Sequence, residues 1–264
     1  MEALAKSGVI AVIGSGAMGS GIAQVAAQAG YQVKLYDTRA EAVDKALADI
    51  GKALGKLAEK GKLTQDEAGD VRGRLHPVSA LSDLRDAALV VEAIVENLDV
   101  KRKLFADLED IVGDDCILAT NTSSISVTSI AAPLRRPQRV AGMHFFNPVP
   151  LMALVEVISG LATDKAVADT VYATALALGK SPVHAKSTPG FIVNRVARPY
   201  YAEALRVLNE QAADPATIDA LLREAGGFRM GPFELMDLIG HDINYSVTQS
   251  VHNAYYGDPR FTPS

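Results

Sequence analysis

The chain has 264 residues, 48% hydrophobic and 22% charged, with a formal net charge of −5. That is enough material for one large domain or two smaller ones, and the acidic balance argues against a nucleic-acid partner. The lone cysteine, Cys116, excludes an internal disulfide, and the five histidines are scattered with no metal-ligand spacing. No apolar stretch reaches the length of a membrane span and no signal-peptide pattern opens the sequence, so a reducing, cytoplasmic setting without a membrane partner is expected.

Val9-Ile10-Ala11-Val12-Ile13 reads as a strand, and residues 14–30 as a turn and a helix. Further apolar runs at 33–37, 88–92 and 116–120 are continuous rather than alternating. Strands of that kind are buried on both faces, as in a parallel sheet flanked by helices. Between Asp37 and the run at 88–92 lie some fifty residues, too many for a simple crossover. Leu47, Ile50, Leu54 and Leu57 form a helical stripe there, Gly61 is placed to cap that helix, and Thr64 with Glu67 spells a capping box opening a second one. A helical hairpin inserted into the sheet topology is expected. Two more strands follow, at 140–146 and 153–158. After Ser187-Thr188-Pro189-Gly190 the sequence turns helical, over 191–210, 215–225 and 233–256. The expectation is an α/β, doubly wound, mostly parallel sheet domain over 1–186, and a small all-α domain over 187–264.

Gly14-Ser15-Gly16-Ala17-Met18-Gly19 follows the first strand and opens the first helix. A GxGxxG pattern alone is weak evidence, but in this context its glycines permit a tight turn and close approach of a pyrophosphate to a helix N-terminus. Asp37 ends the second strand, where a carboxylate accepts from a ribose diol and repels a 2′-phosphate. NAD is the expected cofactor, with Arg39 nearby as a reservation. Thr120-Asn121-Thr122-Ser123-Ser124 also lies beyond a strand's carboxyl end, a ligand-facing position; alternatively Ser123 or Ser124 caps the next helix. Lys45, Lys52, Lys56 and Lys60 share one helical face, either an ordinary solvated face or a receptor for a phosphorylated substrate.

His144 closes one apolar run, and Glu156 lies inside the next. A carboxylate within a buried strand requires a partner, and His144 is the nearest in sequence. An imidazole held by a buried carboxylate is an oriented general base. The plainer alternative is a core histidine beside a strand glutamate that faces solvent.

Taken together, Val91-Glu92-Ala93-Ile94-Val95-Glu96-Asn97, Asn121-Thr122-Ser123-Ser124, His144-Phe145-Phe146-Asn147-Pro148, Pro189-Gly190-Phe191-Ile192-Val193-Asn194-Arg195 and Met230-Gly231-Pro232-Phe233-Glu234-Leu235 resemble the signature stretches of the L-3-hydroxyacyl-CoA dehydrogenases, along essentially the whole chain. Val155-Glu156-Val157-Ile158-Ser159-Gly160-Leu161-Ala162-Thr163 and Asn194-Arg195-Val196-Ala197-Arg198-Pro199-Tyr200-Tyr201 look most like the bacterial members that act on 3-hydroxyadipyl-CoA in phenylacetate degradation, with the 3-hydroxybutyryl-CoA enzymes a close second. The resemblance implies His144 as catalytic base, Glu156 as its orienting partner, and Ser123 and Asn194 as hydrogen-bond partners of the substrate's C3 oxygen. It implies NAD contacts from Glu96, Lys101, Ser123 and Asn147 beyond the glycine loop, and contacts to the CoA phosphates from Lys56 and Lys60. A serine that some relatives place near CoA aligns with Ala53. Reversible oxidation of a (3S)-3-hydroxyacyl-CoA follows, in fatty-acid or phenylacetate-type β-oxidation, by a homodimer paired through its helical domains. A dehydrogenase of a free hydroxy or sugar acid would share the glycine loop without needing His144, Glu156 and the lysine row. A crystallin-like structural protein is the non-enzyme alternative, against which the retained His144, Glu156, Ser123 and Asn194 argue.

The chain stops at Phe261-Thr262-Pro263-Ser264, a pattern that opens a helix rather than ending a domain. The sequence is therefore expected to be part of a longer protein, with Leu238, Ile239, Val247 and Val251 on an apolar surface.

Overall fold

The computed structural model describes residues 2–264 and divides into two compact units that meet at Ser187/Thr188. The first unit is built on an eight-stranded sheet of order β3-β2-β1-β4-β5-β6-β7-β8. Its strands are β1 (Val9–Ile13), β2 (Gln32–Tyr36), β3 (Leu75–Pro77), β4 (Ala87–Glu92), β5 (Ile117–Thr120), β6 (Val140–Phe145), β7 (Leu154–Ser159) and β8 (Ser181–Lys186). Every neighbouring pair is parallel except β6 and β7. The chain leaves β1 toward β2 on one side and returns to pair β4 on the other. The crevice beyond the carboxyl ends of β1 and β4 is therefore the switch point where such sheets bind ligands. This is a Rossmann-type, doubly wound fold.

The continuous apolar runs are buried as their composition dictates; Ile10, Val12, Val33, Leu35, Leu89 and Val91 join one core with Ile22, Ile50 and Leu54 from the helices. Helix α1 (Ala17–Gln28) packs on β1 and β2. The hairpin consists of α2 (Ala40–Glu59) and α3 (Gln65–Gly73). Gly61 turns the chain at φ 66°, and the capping box closes, with Glu67 N–H donating to Thr64 Oγ1 and Thr64 N–H to Glu67 Oε2. Helices α4 (Leu98–Ile111), α5 (Val127–Ala131) and α6 (Lys165–Ala177) complete the unit. The sequence reading lacked β3 and β8. Each is an edge strand that carries a proline, a residue tolerated at an edge because one missing N–H is harmless there.

The second unit is helical: α7 (Val193–Asn209), α8 (Pro215–Glu224), α9 (Pro232–Ile239) and α10 (His241–Ala254). The single helix expected over 233–256 is two, because Gly240 takes φ 96° and breaks the helical ladder. Of the four apolar side chains expected on the surface, Leu238 is 71% exposed, Ile239 and Val247 are half-buried, and Val251 is 1% exposed. Val251 is covered because α10 packs it beside the Gly190 turn that leads into α7.

Candidate active site

The glycine loop is shaped by close approach. A side chain on Gly14, whose φ is 96°, would meet the Ala93 carbonyl at 2.4 Å, and one on Gly19 would meet the Gly14 carbonyl at 1.7 Å. Gly16 faces open space and serves as the N-cap of α1, with no side chain capping the first turn. The N–H groups there point outward, the arrangement that receives a phosphate. Beside the loop is a cavity of about 630 Å³ lined by Gly14, Gly16, Asp37, Arg39, Val95 and Leu104 among others. Asp37 stands at its edge. Burial opposes ionisation, but the amides of Ser15 and Arg39, the Ser15 hydroxyl and the Arg39 charge together hold the Asp37 carboxyl below its usual range. A glycine cradle on an uncapped helix, with an ionised carboxylate at the end of the next strand, fits a dinucleotide. Ala17 and Met18 form the first residues of α1, behind the loop.

The sequence reading missed a buried polar network at the ends of β4 and β5. Glu92 is fully buried and Lys101 is 1% exposed. Lys101 Nζ donates to Glu92 Oε1 at 2.6 Å and lies 3.4 Å from Glu96 Oε2. Glu92 also accepts from the Thr120 hydroxyl at 2.7 Å and the Ile94 amide at 2.7 Å. The other oxygen of Glu96 gathers the loop after β5, taking the Thr122 hydroxyl at 2.6 Å, the Ser123 amide at 3.0 Å, and the Ser124 amide and hydroxyl at 3.1 and 3.0 Å. The Ser123 hydroxyl is 3.4 Å from the same atom. Burial would raise the Glu96 pKa; the Lys101 charge and these donors outweigh it and hold the carboxyl below its usual range. The network thus fixes Ser123 in the loop beyond the carboxyl end of β5. Lys101, expected as a cofactor contact, is turned inward between two carboxylates. Neither Ser123 nor Ser124 is the N-cap of α5; Ser126 is, accepting from the Ser129 amide at 3.2 Å.

His144 and Glu156 are register partners across the antiparallel β6–β7 pair, both buried, with Nδ1 2.7 Å from Oε2. Directly opposed residues on one face bring their side chains together. A carboxylate acting as acceptor here would place the imidazole proton on Nδ1, the tautomer in which Nε2 is the basic nitrogen. The ring packs against Phe146 at a centroid distance of 4.5 Å. Asn121, another residue that the sequence reading assigned only to a ligand-facing loop, accepts from the Phe145 amide at 2.8 Å and ties the end of β5 to the end of β6. Asn147 follows in an exposed turn whose continuation is held by buried Lys180, which donates to the Val149 and Met152 carbonyls at 2.5 and 3.0 Å.

On α2, Lys45 and Lys52 are both engaged by Asp49, at 2.8 and 3.4 Å. Lys56 lies in the last turn and Lys60 caps the helix; both are exposed. In the helical unit, Asn194 occupies the first turn of α7 and is half-buried. Among the described residues no cluster of side chains could hold a metal ion, and no helix is long and apolar enough to cross a membrane.

Residues 9–188 match the family model for the NAD-binding domain of 3-hydroxyacyl-CoA dehydrogenase, and residues 190–264 match that for its C-terminal domain. The chain is 54% identical over 255 residues to the 3-hydroxyadipyl-CoA dehydrogenase of Escherichia coli K12, covering 97% of this chain and 54% of that protein. It is 46% identical to a probable 3-hydroxybutyryl-CoA dehydrogenase of Deinococcus radiodurans, over 96% of this chain and 90% of the relative. Among solved structures, a 3-hydroxybutyryl-CoA dehydrogenase of E. coli K12 superposes with TM-score 0.96 at 53% identity, covering 98% of this chain and 55% of that one. The (S)-3-hydroxybutyryl-CoA dehydrogenase of Ralstonia eutropha superposes with TM-score 0.94 at 40% identity, covering 97% and 90%. The chain therefore spans about half the length of the E. coli relatives and about nine tenths of the others. It belongs to the 3-hydroxyacyl-CoA dehydrogenase family and carries that family's NAD-binding domain.

Proposed function

We propose that this protein interconverts (3S)-3-hydroxyacyl-CoA and 3-ketoacyl-CoA with NAD. The observation that carries the reading is the buried His144–Glu156 pair at 2.7 Å, in a unit whose glycine loop fits a dinucleotide. NAD, when bound, supplies the acceptor for the hydride from C3. His144 takes the C3 hydroxyl proton on Nε2, and Glu156 fixes the tautomer and stabilises the imidazolium that forms. In the reducing direction the same nitrogen returns the proton. The family resemblance assigns Ser123 and Asn194 to the C3 oxygen. Gly14, Ser15, Gly16, Ala17, Met18 and Gly19 cradle the pyrophosphate, Asp37 takes the adenosine ribose, and Glu96 and Asn147 line the nicotinamide end. Lys101 acts from behind, by holding Glu96. Lys56 and Lys60, the members of the row not engaged by Asp49, receive the CoA phosphates.

The relatives' names set the acyl range to test, from a four-carbon chain to a six-carbon chain with a distal carboxylate, in fatty-acid or phenylacetate-type β-oxidation. The exposed Leu221, Phe228, Leu238 and Ile243 of the helical unit suit pairing of two copies through that unit. The deciding experiment follows NADH consumption with acetoacetyl-CoA. Turnover that disappears in a folded His144→Asn protein supports the reading; no turnover by the wild type, or full turnover by the variant, overturns it.

A further inference from the structure

One loop, residues 146–153, joins the two strands that carry His144 and Glu156. It starts at Phe146 and Asn147, just after the histidine, and ends where β7 leads to the glutamate. Part of it is fixed from within: the Leu151 and Met152 amides both donate to the Pro148 carbonyl, at 2.9 and 3.0 Å. Part is fixed by packing. Val149 is 1% exposed and rests on Gly21, in the second turn of α1. A Cβ on Gly21 would stand 2.8 Å from Val149 Cβ and 3.5 Å from Pro150 Cδ, so no methyl fits between loop and helix. The helix that opens at the glycine loop is thus in direct contact with the loop that follows His144.

A buried charge grips the same loop. Lys180, just before β8, is 8% exposed, and its Nζ donates to the Val149 carbonyl at 2.5 Å and to the Met152 carbonyl at 3.0 Å. Both acceptors are neutral. The ion pairs of β6, β7, α6 and β8 are His144–Glu156, Lys165–Asp169 and His184–Asp169, and Lys180 is in none of them. Burial pulls its pKa below the usual lysine value. Burying an ammonium without a counter-charge is costly, and a methionine of similar length would avoid that cost. What the ammonium adds is a pair of charge-assisted bonds, each roughly twice as strong as a neutral one. The lysine is itself well anchored. Its amide donates to the Ala175 carbonyl at 3.0 Å, and the next amide, of Ser181, donates to the Ala153 carbonyl at 2.8 Å. The loop is therefore held at its end by the β8 backbone and at its middle by Nζ.

We propose that Lys180 is a positioning residue for hydride transfer: it clamps the β6–β7 loop against α1 and so fixes the His144–Glu156 pair relative to the cofactor-binding helix. Lys180 touches neither His144 nor Glu156 in any hydrogen bond or ion pair of the described residues; it acts through Val149 and Met152. Without the ammonium, Val149 is held on Gly21 by packing alone, and the added freedom of the loop passes to the strands at both its ends. The inference rests on the dehydrogenase reading above.

The test uses Lys180→Met and Gly21→Ala, which disturb the Val149 seat from opposite sides. Hydride transfer from NADH to acetoacetyl-CoA is followed by stopped flow with both ligands saturating, alongside the melting temperature, NADH affinity and KM. Each variant should transfer hydride about 10- to 100-fold more slowly than the wild type, the scale of a misplacement of about 1 Å. KM for the thioester should stay within about twofold, since ground-state contacts are untouched. The two losses should not add in the double variant, because both act on one contact, and Lys180→Gln, which keeps a neutral donor, should recover part of the rate lost in Lys180→Met. A Lys180→Met protein that melts lower but transfers hydride at the wild-type rate would make the lysine a structural anchor and overturn the inference. So would a loss confined to NADH affinity or KM. Should Lys180→Met not fold, Gly21→Ala decides, and a wild-type rate there rejects the clamp. A wild type that transfers no hydride to acetoacetyl-CoA overturns the dehydrogenase reading itself.

Discussion

Ser15 donates both its amide and its hydroxyl to one oxygen of Asp37, at 2.8 and 2.9 Å. The glycine loop and the Asp37 carboxylate are therefore one unit. Asp37→Ala should weaken NADH binding by roughly 1.5–3 kcal/mol, the worth of charged hydrogen bonds; the protein should use NADH far better than NADPH. Titration of the variant by NADH fluorescence checks the first, and paired kinetics with the two cofactors check the second. Equal efficiency with NADPH would remove Asp37 from the ribose site.

The same contacts make a pH prediction. The folded-state pKa of Asp37 is lowered, so its contribution to stability is present above the ordinary carboxylate pKa and is lost as pH falls through the lower folded value. The wild type should melt above Asp37→Asn at neutral pH, and the gap should narrow as pH falls below the ordinary carboxylate pKa of about 3.9. A gap that persists or widens in acid would contradict the assigned sign.

The His144–Glu156 pair separates chemistry from binding. Glu156→Gln keeps shape and hydrogen bonding but removes the charge that, in the proposed mechanism, stabilises the imidazolium. Its kcat should fall by about 10²–10⁴, the usual worth of general-base catalysis, with little change in NADH affinity. Stopped-flow hydride transfer together with cofactor titration distinguishes the two effects; a large loss of NADH affinity with kcat preserved would assign the pair to the cofactor site.

Lys101 answers two carboxylates, and the strength of the network is testable through stability. Glu92→Leu leaves the buried ammonium with only Glu96, at 3.4 Å. Removing one member of a buried pair costs about 3–5 kcal/mol, whereas replacing both by apolar residues is often neutral. Glu92→Leu should lower the melting temperature by roughly 6–20 °C at about 2–4 °C per kcal/mol, and adding Lys101→Met should restore much of it. Strictly additive losses in the double mutant would show that the two side chains are not coupled.

This network marks the limit of what the sequence discloses. A carboxylate inside an apolar strand pointed to a partner for Glu156, because His144 lies twelve residues away on the adjacent strand and β-register places it opposite. The same signal stood at Glu92, at the end of Ala-Leu-Val-Val, but its partner Lys101 is on the next helix, and no periodicity predicts which lysine turns inward. The glycine loop, the central strands and the capped hairpin follow from local rules that bind neighbours in sequence. β3 and β8 take their place by pairing with strands distant in sequence, and their prolines read as breakers. Arg198 is similar: its burial depends on α10, some forty-six residues onward.

The lysines of α2 divide by pairing, and that division gives the last prediction. Lys45 and Lys52 are both engaged by Asp49, whereas Lys56 and Lys60 are in none of the ion pairs among the described residues. Two exposed ammonium groups at a helix C-terminus attract an anionic ligand through solvent, weakly and with strong screening. Lys56→Ala with Lys60→Ala should raise KM for the CoA thioester at low salt and leave kcat nearly unchanged, since such contacts are equal in ground and transition states. The KM ratio of variant to wild type should shrink toward one as salt rises to about 1 M, where the screening length is about 3 Å. Lys45→Ala is the internal control: its charge is already answered by Asp49, so its KM should stay at the wild-type value. Equal effects at Lys45 and at the Lys56–Lys60 pair would point to the general field of the helix rather than to a phosphate site, and an unchanged KM in the double variant at low salt would return the row to an ordinary solvated face.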